Sequence, residues 1–178
     1  MHQSISQHLF EDEALQAVAL PYTDHAFSMI VLLPRKADGL SKLEAMLNSK
    51  KFSTWLEKAK FREAELFLPR FKLESSFEMT PVLKNLGMTD GFTRNADFSG
   101  IDGTKLLYIS DVLHKAFLNV DEEGTEASGI FALRGLAQSR HDREETAIFR
   151  ADHPFLFLIR DNISGSILFM GRVVDPAQ

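Results

Sequence analysis

The sequence contains no cysteine, so neither a disulfide framework nor thiol chemistry belongs to it. No apolar run exceeds about five residues, against the ~20 that a membrane-crossing helix needs, so no membrane partner is expected. The first residues, Met1-His2-Gln3, carry no targeting character. Runs of basic residues are missing and the net charge is -5, which argues against nucleic acid as a partner. There is no P-loop, since Gly100–Lys105 falls short of the spacing, and there is neither a Gly-x-Ser-x-Gly elbow nor a His-Glu-x-x-His pair. The six histidines are scattered, with no pair at metal-ligand spacing on an expected helix. Asp24-His25 and Asp152-His153 are neighbours in sequence, which says nothing about a triad. No metal, no cofactor and no enzymatic activity are expected.

What is present suits a globular domain. Of 178 residues, 44% are apolar and 25% charged, and phenylalanine is abundant, with 15 copies against one tryptophan and two tyrosines. Residues 1–14 are polar and weakly patterned. Leu15–Leu20 and Ala26–Leu33 read as a strand hairpin buried on both faces, turned at Thr23-Asp24-His25 and stopped by Pro34. Leu40, Leu43 and Leu47 lie at helical spacing, and Phe52, Trp55 and Leu56 begin a second short helix. Glu63–Leu68 alternates, Pro69 interrupts, and Phe71–Phe77 continues as a strand. Thr80-Pro81 opens a helix over 82–86 that Gly87 stops. Asp90–Thr104 reads as loop. Leu106–Val120 reads as one long strand carrying Val112, His114, Ala116, Leu118 and Val120 on one face. Three further strands follow: Ala147–Phe149, Pro154–Ile159 and Ile167–Val174, the last pair turned at Ser164-Gly165.

The chain is organised around Glu122–Thr146. A connection of about 25 residues exceeds the roughly 12–15 usual in compact domains, so it is functional or disordered. Thr125, Ala127 and Gly129 alternate with Glu126 and Ser128, small against polar, at a period of two. Such a segment is either a cleavable surface loop or a strand able to slot into a sheet without overfilling it. Gly124 supplies backbone freedom at its base.

About eight strands and three short helices leave apolar strands such as Phe155–Ile159 short of cover on both faces. The expectation is that the chain belongs to a larger fold whose helix-rich N-terminal part is absent. Two sheets packed face to face are the alternative.

Several stretches then resemble one family, the serpins. They are Phe149-Arg-Ala-Asp-His-Pro-Phe-Leu-Phe-Leu-Ile159, Glu122-Glu-Gly-Thr-Glu-Ala-Ser128 and Val112-Leu-His-Lys-Ala-Phe117. Ile167-Leu-Phe-Met-Gly-Arg-Val-Val-Asp-Pro176, Asn85-Leu-Gly-Met-Thr-Asp-Gly-Phe92 and Ala96-Asp-Phe-Ser-Gly-Ile101 are also typical. The resemblance covers essentially the whole chain and corresponds to the second half of the family's fold. It implies an α+β fold of mostly antiparallel β-sheets, a few short helices and a long exposed reactive-centre loop over about 122–146. Residues 1–178 would be a single partial domain, with the other half of the fold as a partner.

By the same resemblance the function is inhibition of a serine protease by suicide-substrate loop insertion. A non-inhibitory binding, chaperone or storage protein, or an inactive fragment, is the alternative. The hinge would be Glu122, Glu123, Gly124, Thr125, Glu126, Ala127, Ser128 and Gly129. Counting from Glu122 puts the scissile bond at Gln138–Ser139. Counting back from Pro154 favours Arg140–His141 or Arg143–Glu144, with Arg140 as bait for a trypsin-like protease. Ile130 and Phe131 are bulkier than the family's usual hinge. His114 resembles the shutter histidine, with an ordinary buried strand histidine as the alternative. Asn162-Ile-Ser164 is a glycosylation sequon, meaningful if the protein is secreted. The resemblance favours a secreted protein, and a cytoplasmic one is equally compatible with the residues.

Overall fold

A computed structural model describes residues 2–23, 25–121 and 146–176. The chain falls into two compact units, residues 1–71 with 120–178 and residues 72–119.

The first unit is built on a seven-stranded sheet in the order β7-β4-β1-β2-β3-β8-β9. Its strands are β1 (His2–Glu11), β2 (Leu15–Pro21), β3 (Phe27–Pro34), β4 (Lys60–Phe67), β7 (Ala147–Arg150), β8 (Phe155–Asp161) and β9 (Ile167–Val173). The pairings are antiparallel except β4 with β7, which run parallel.

β1 corrects the expectation of an unpatterned start. His2, Ser4, Ser6 and His8 are exposed, whereas Gln3, Ile5 and Gln7 are half-buried and Leu9 is buried. The period of two is present, but glutamines stand at inward positions, so hydropathy alone does not reveal it. Eight residue pairs with β4 hold this strand, from His2↔Phe67 to Leu9↔Lys60. Only three pairs join β1 to β2, and Asp12 closes that hairpin by accepting from the N–H groups of Ala14 and Leu15 at 2.7 and 2.9 Å.

β2 and β3 are buried nearly throughout, as two-sided cover requires. One sheet face carries Leu15, Ala17, Ile30, Leu32, Leu156 and Leu158, packed with Leu43, Phe52 and Trp55. These three come from α1 (Leu40–Met46) and α2 (Ser49–Lys58). α2 starts where Asn48 accepts from Lys51 N–H at 3.0 Å, a side-chain N-cap. On the other face the Phe71 ring packs against Phe155 and Phe157, with centroids 5.8 and 5.3 Å away. At the outer edge Arg172 of β9 donates to Glu44 of α1 at 3.0 Å, while Ile167, Leu168, Phe169 and Met170 stay exposed.

The second unit holds β5 (Phe71–Glu78), α3 (Thr80–Asn85), a 3-10 turn (Asp90–Phe92), α4 (Ser99–Asp102) and β6 (Leu113–Val120), with β5 beside β6 in a two-stranded sheet. Thr80 is not the α3 cap: that position is Met79, and the Thr80 hydroxyl accepts instead from Val112 N–H at 2.9 Å. Gly87 ends the helix at φ 98, a conformation suited to glycine. The long strand expected over 106–120 is only 113–120. Residues 106–112 have the composition of a strand but pair with no strand among the described residues; Ile109 N–H donates to Gly91 O and Val112 N–H to the Thr80 hydroxyl.

Among the described residues, no helix is long and apolar enough to cross a membrane.

Candidate functional site

The hinge residues Glu122–Gly129, the bulky Ile130 and Phe131, and the scissile candidates Gln138, Ser139, Arg140 and His141 lie outside the described residues, as do Arg134 and Arg143. The structure describes the two places where that stretch joins the fold: the end of β6 and the start of β7.

At the upstream end, β6 alternates. Ala116, Leu118 and Val120 are half-buried, while Leu113, Lys115, Phe117 and Asn119 are exposed. His114 shares the parity of Ala116 and Leu118, but its side chain is exposed. Lys72 sits 5.2 Å above the Phe117 ring, a cation held over an aromatic face.

The downstream end is more elaborately held. Ala147 and Phe149 point inward and are buried, and Ile148 points out. The strand pairs with β4 from Ala64↔Ala147 to Phe67↔Arg150, and Ala151 N–H donates to Phe67 O at 2.8 Å. The Arg150 guanidinium lies 3.7 Å over the Phe67 ring, and the His2 ring stacks on Phe67 at 4.2 Å and 6°. Beyond β7 the chain turns at Asp152-His153. His153 Nε2 lies 2.7 Å from Pro34 O, and its Nδ1 lies 2.8 Å from Asp152 Oδ1, tying the turn to the end of β3.

One polar side chain reaches β7 from a distant strand. Gln16 is only 7% exposed within an otherwise apolar β2. Its amide nitrogen donates to Ile148 O at 3.0 Å and to Glu11 Oε2 at 3.3 Å. Glu11 also accepts from Arg35 at 3.0 Å and from Arg62 at 2.8 Å. Burial pushes the Glu11 carboxyl up, but the hydrogen bonds from Gln16 and Arg35 and the charges of Arg62 and Arg35 outweigh it, so the net shift is downward. Sequence reasoning passed over both Gln16 and Glu11. The available signal was a glutamine at the second place of the apolar run 15–20.

The sequon residue Asn162 is structurally committed. Its amide nitrogen donates to His25 O and to Ser28 Oγ, both at 2.8 Å, and its backbone N–H to Ala26 O at 2.7 Å. It thus fastens the β8–β9 turn to the β2–β3 turn, where His25 adopts a positive φ of 55. Ser164 donates to Asp161 at 2.9 Å within the same turn. Asp161 is held below the usual carboxylate range, first by the Ile163 N–H and then by the Ser164 hydroxyl.

Among the described residues, no group of three or more His, Cys, Asp or Glu could hold a metal ion.

Comparison with known proteins bears on the whole chain. The family described as Serpin (serine protease inhibitor) matches residues 1–176. Human Serpin B3 is 43% identical over 180 residues, covering 99% of this chain and 46% of that protein. The leukocyte elastase inhibitor of Xenopus laevis is 44% identical over 162 residues, covering 88% and 42%. Ovalbumin-related protein Y of Gallus gallus is 39% identical over 178 residues, covering 99% and 45%. Among solved structures, uncleaved ovalbumin superposes with a TM-score of 0.81 at 33% identity, over 99% of this chain and 47% of that one. The chain spans about half the length of the curated relatives it matches.

Proposed function

The chain belongs to the serpin family, described as serine protease inhibitors, and from that premise we propose that it is the bait-bearing part of a serine-protease inhibitor acting by loop insertion. The family match over residues 1–176 carries this reading. The alternation of Thr125, Ala127 and Gly129 with polar residues supports it.

Residues 122–146 serve as the reactive-centre loop. A protease takes the loop as substrate and its nucleophile attacks the scissile carbonyl. The freed upstream arm, residues 124–136, then enters a sheet as a new strand, and the acyl-linked protease is carried along and distorted. About 12–15 inserted residues, at roughly 1 kcal/mol per ladder hydrogen bond, release on the order of 10 kcal/mol. That matches the whole stability of an ordinary domain, roughly 5–15 kcal/mol. At about 3.3 Å per residue, the cut end travels about 50 Å. No catalytic residue of the inhibitor is required.

The scissile bond lies at Gln138–Ser139, Arg140–His141 or Arg143–Glu144, and Arg140 directs the bait to a trypsin-like enzyme. The rest of the fold completes the sheet that receives the arm; residues 1–178 belong to one domain with it. Incubation of the full-length protein with trypsin tests this. A complex stable on a denaturing gel is expected, together with a released C-terminal peptide beginning between Ser139 and Glu144 by mass spectrometry. Cleavage only elsewhere removes the bond assignment, and clean cleavage after Arg140 or Arg143 without any complex removes the reading as an inhibitor of trypsin-like enzymes.

Ile130 and Phe131 favour a second reading. Phe131 shares the parity of Thr125, Ala127 and Gly129, so its ring would face inward on insertion and slow it. The protein would then be cut without trapping its protease, as in a non-inhibitory binding or storage role.

A further inference from the structure

We propose that Gln16 is a positioning residue that fixes where the chain re-enters the fold after residues 122–145, and so sets how the bait is presented. This rests on the bait reading above.

β7 is a weakly secured strand by its backbone alone. It has four residues and, among the described residues, one strand partner, β4, which it meets in parallel. Parallel pairing is slightly less stable per residue than antiparallel. Its outer residue Ile148 is exposed. The Ile148 carbonyl is nevertheless met by a donor from β2, which is three places away in the sheet order.

That donor is also held by contacts that do not involve β7. Glu11 accepts a second hydrogen bond from the same Gln16 nitrogen, which turns the amide with its nitrogen toward Ile148. Glu11 is itself held from two further elements, by Arg62 of β4 and by Arg35 just beyond β3. The relay therefore runs from two arginines through one carboxylate and one amide to a single backbone carbonyl. A buried glutamine is costly to retain unless its amide is used, and here the use is non-local: the contact spans 132 positions in sequence. A bait presented from a fixed base loses less freedom when a protease binds it, so anchoring strengthens recognition.

The test uses the full-length protein with Gln16→Met, which keeps the volume and removes the donor. Glu11→Gln, which leaves Gln16 in place, is the second variant if Gln16→Met folds poorly. Hydrogen exchange should accelerate roughly five- to tenfold at the amides of 147–150, the scale of one buried hydrogen bond, while β3 and β8 keep their wild-type rates. With trypsin, the ratio of covalent complex to cleaved protein should fall relative to wild type. Equal acceleration across β3, β7 and β8, or none at β7, overturns the proposal, as does an unchanged ratio. If wild type itself forms no complex, the bait reading fails, and the exchange result alone decides whether Gln16 anchors β7.

Discussion

Gly171 offers the sharpest energetic test of the fold. It lies in β9 opposite Phe157 of β8. A methyl group built on Gly171 would sit 2.6 Å from Phe157 Cζ and 2.8 Å from its Cε1. Ordinary contact begins near 3.4 Å, so the ring tip must withdraw by about 0.8 Å. It cannot do so freely. Phe157 is 3% exposed and packs against Phe71, whose ring also meets Phe155. Overpacking of this kind costs about 1–3 kcal/mol in a filled core. At roughly 2–4 °C per kcal/mol for a chain of this size, Gly171→Ala should melt about 2–12 °C below wild type. The assay is thermal unfolding followed by circular dichroism, with urea midpoints as a second probe. A double-mutant cycle locates the cause: Phe157→Leu removes the ring tip, so Gly171→Ala should cost less in that background than in wild type. A Gly171→Ala protein melting with wild type, or equal costs in both backgrounds, refutes the claim that the ring rests on the bare glycine.

Other consequences can be checked in parallel. Asn162→Asp replaces two donors with acceptors facing His25 O and Ser28 Oγ; a loss of about 2 kcal/mol is expected in urea titrations, and an unchanged midpoint would remove the latch. Glu11 is held below its ordinary value of 4.5, so its contribution to stability is present above that value and is lost as pH falls through the lowered one. Glu11→Gln should therefore flatten the acid limb of the stability profile below about pH 4.5, and a parallel displacement over the whole pH range would count against the ion cluster. Phe131→Ala in the full-length protein should raise the yield of covalent complex with trypsin; an equal or lower yield speaks for a different obstacle to insertion. Cleaved protein should melt well above intact protein if the arm inserts, and identical melting curves would exclude insertion.

The family could be read from the residues because its motifs are short, separate and in order, as in Phe149–Ile159 and Ile167–Pro176. Most element positions could also be read, because each depends on a local pattern. Leu15–Leu20 and Phe155–Ile159 are apolar runs of strand length, Leu43, Phe52 and Trp55 fall at helical spacing, and Gly87 and Gly165 sit where φ is positive. These signals arise from side-chain period and backbone sterics within a few residues.

What the chain left open concerns partners far along it. The pattern of β1 was hidden because its inward positions include glutamines, and only pairing with β4, some sixty residues away, makes it a strand. Leu106–Val112 has the composition of a strand but, among the described residues, no strand beside it, since sheet hydrogen bonds need a neighbour that composition does not specify. Neither the parallel direction of β7, nor the reach of Gln16 to Ile148, nor the use of both Asn162 amide hydrogens follows from spacing. The sequence alone determined the family, three of the four α-helices and most strands, and the small-residue stretch that suits a bait, but it read Asp90–Thr104, which holds α4, as loop. The tertiary structure decided which strand pairs with which, and which polar side chains serve as anchors, because a hydrogen bond depends on distance and direction in space rather than on separation along the chain.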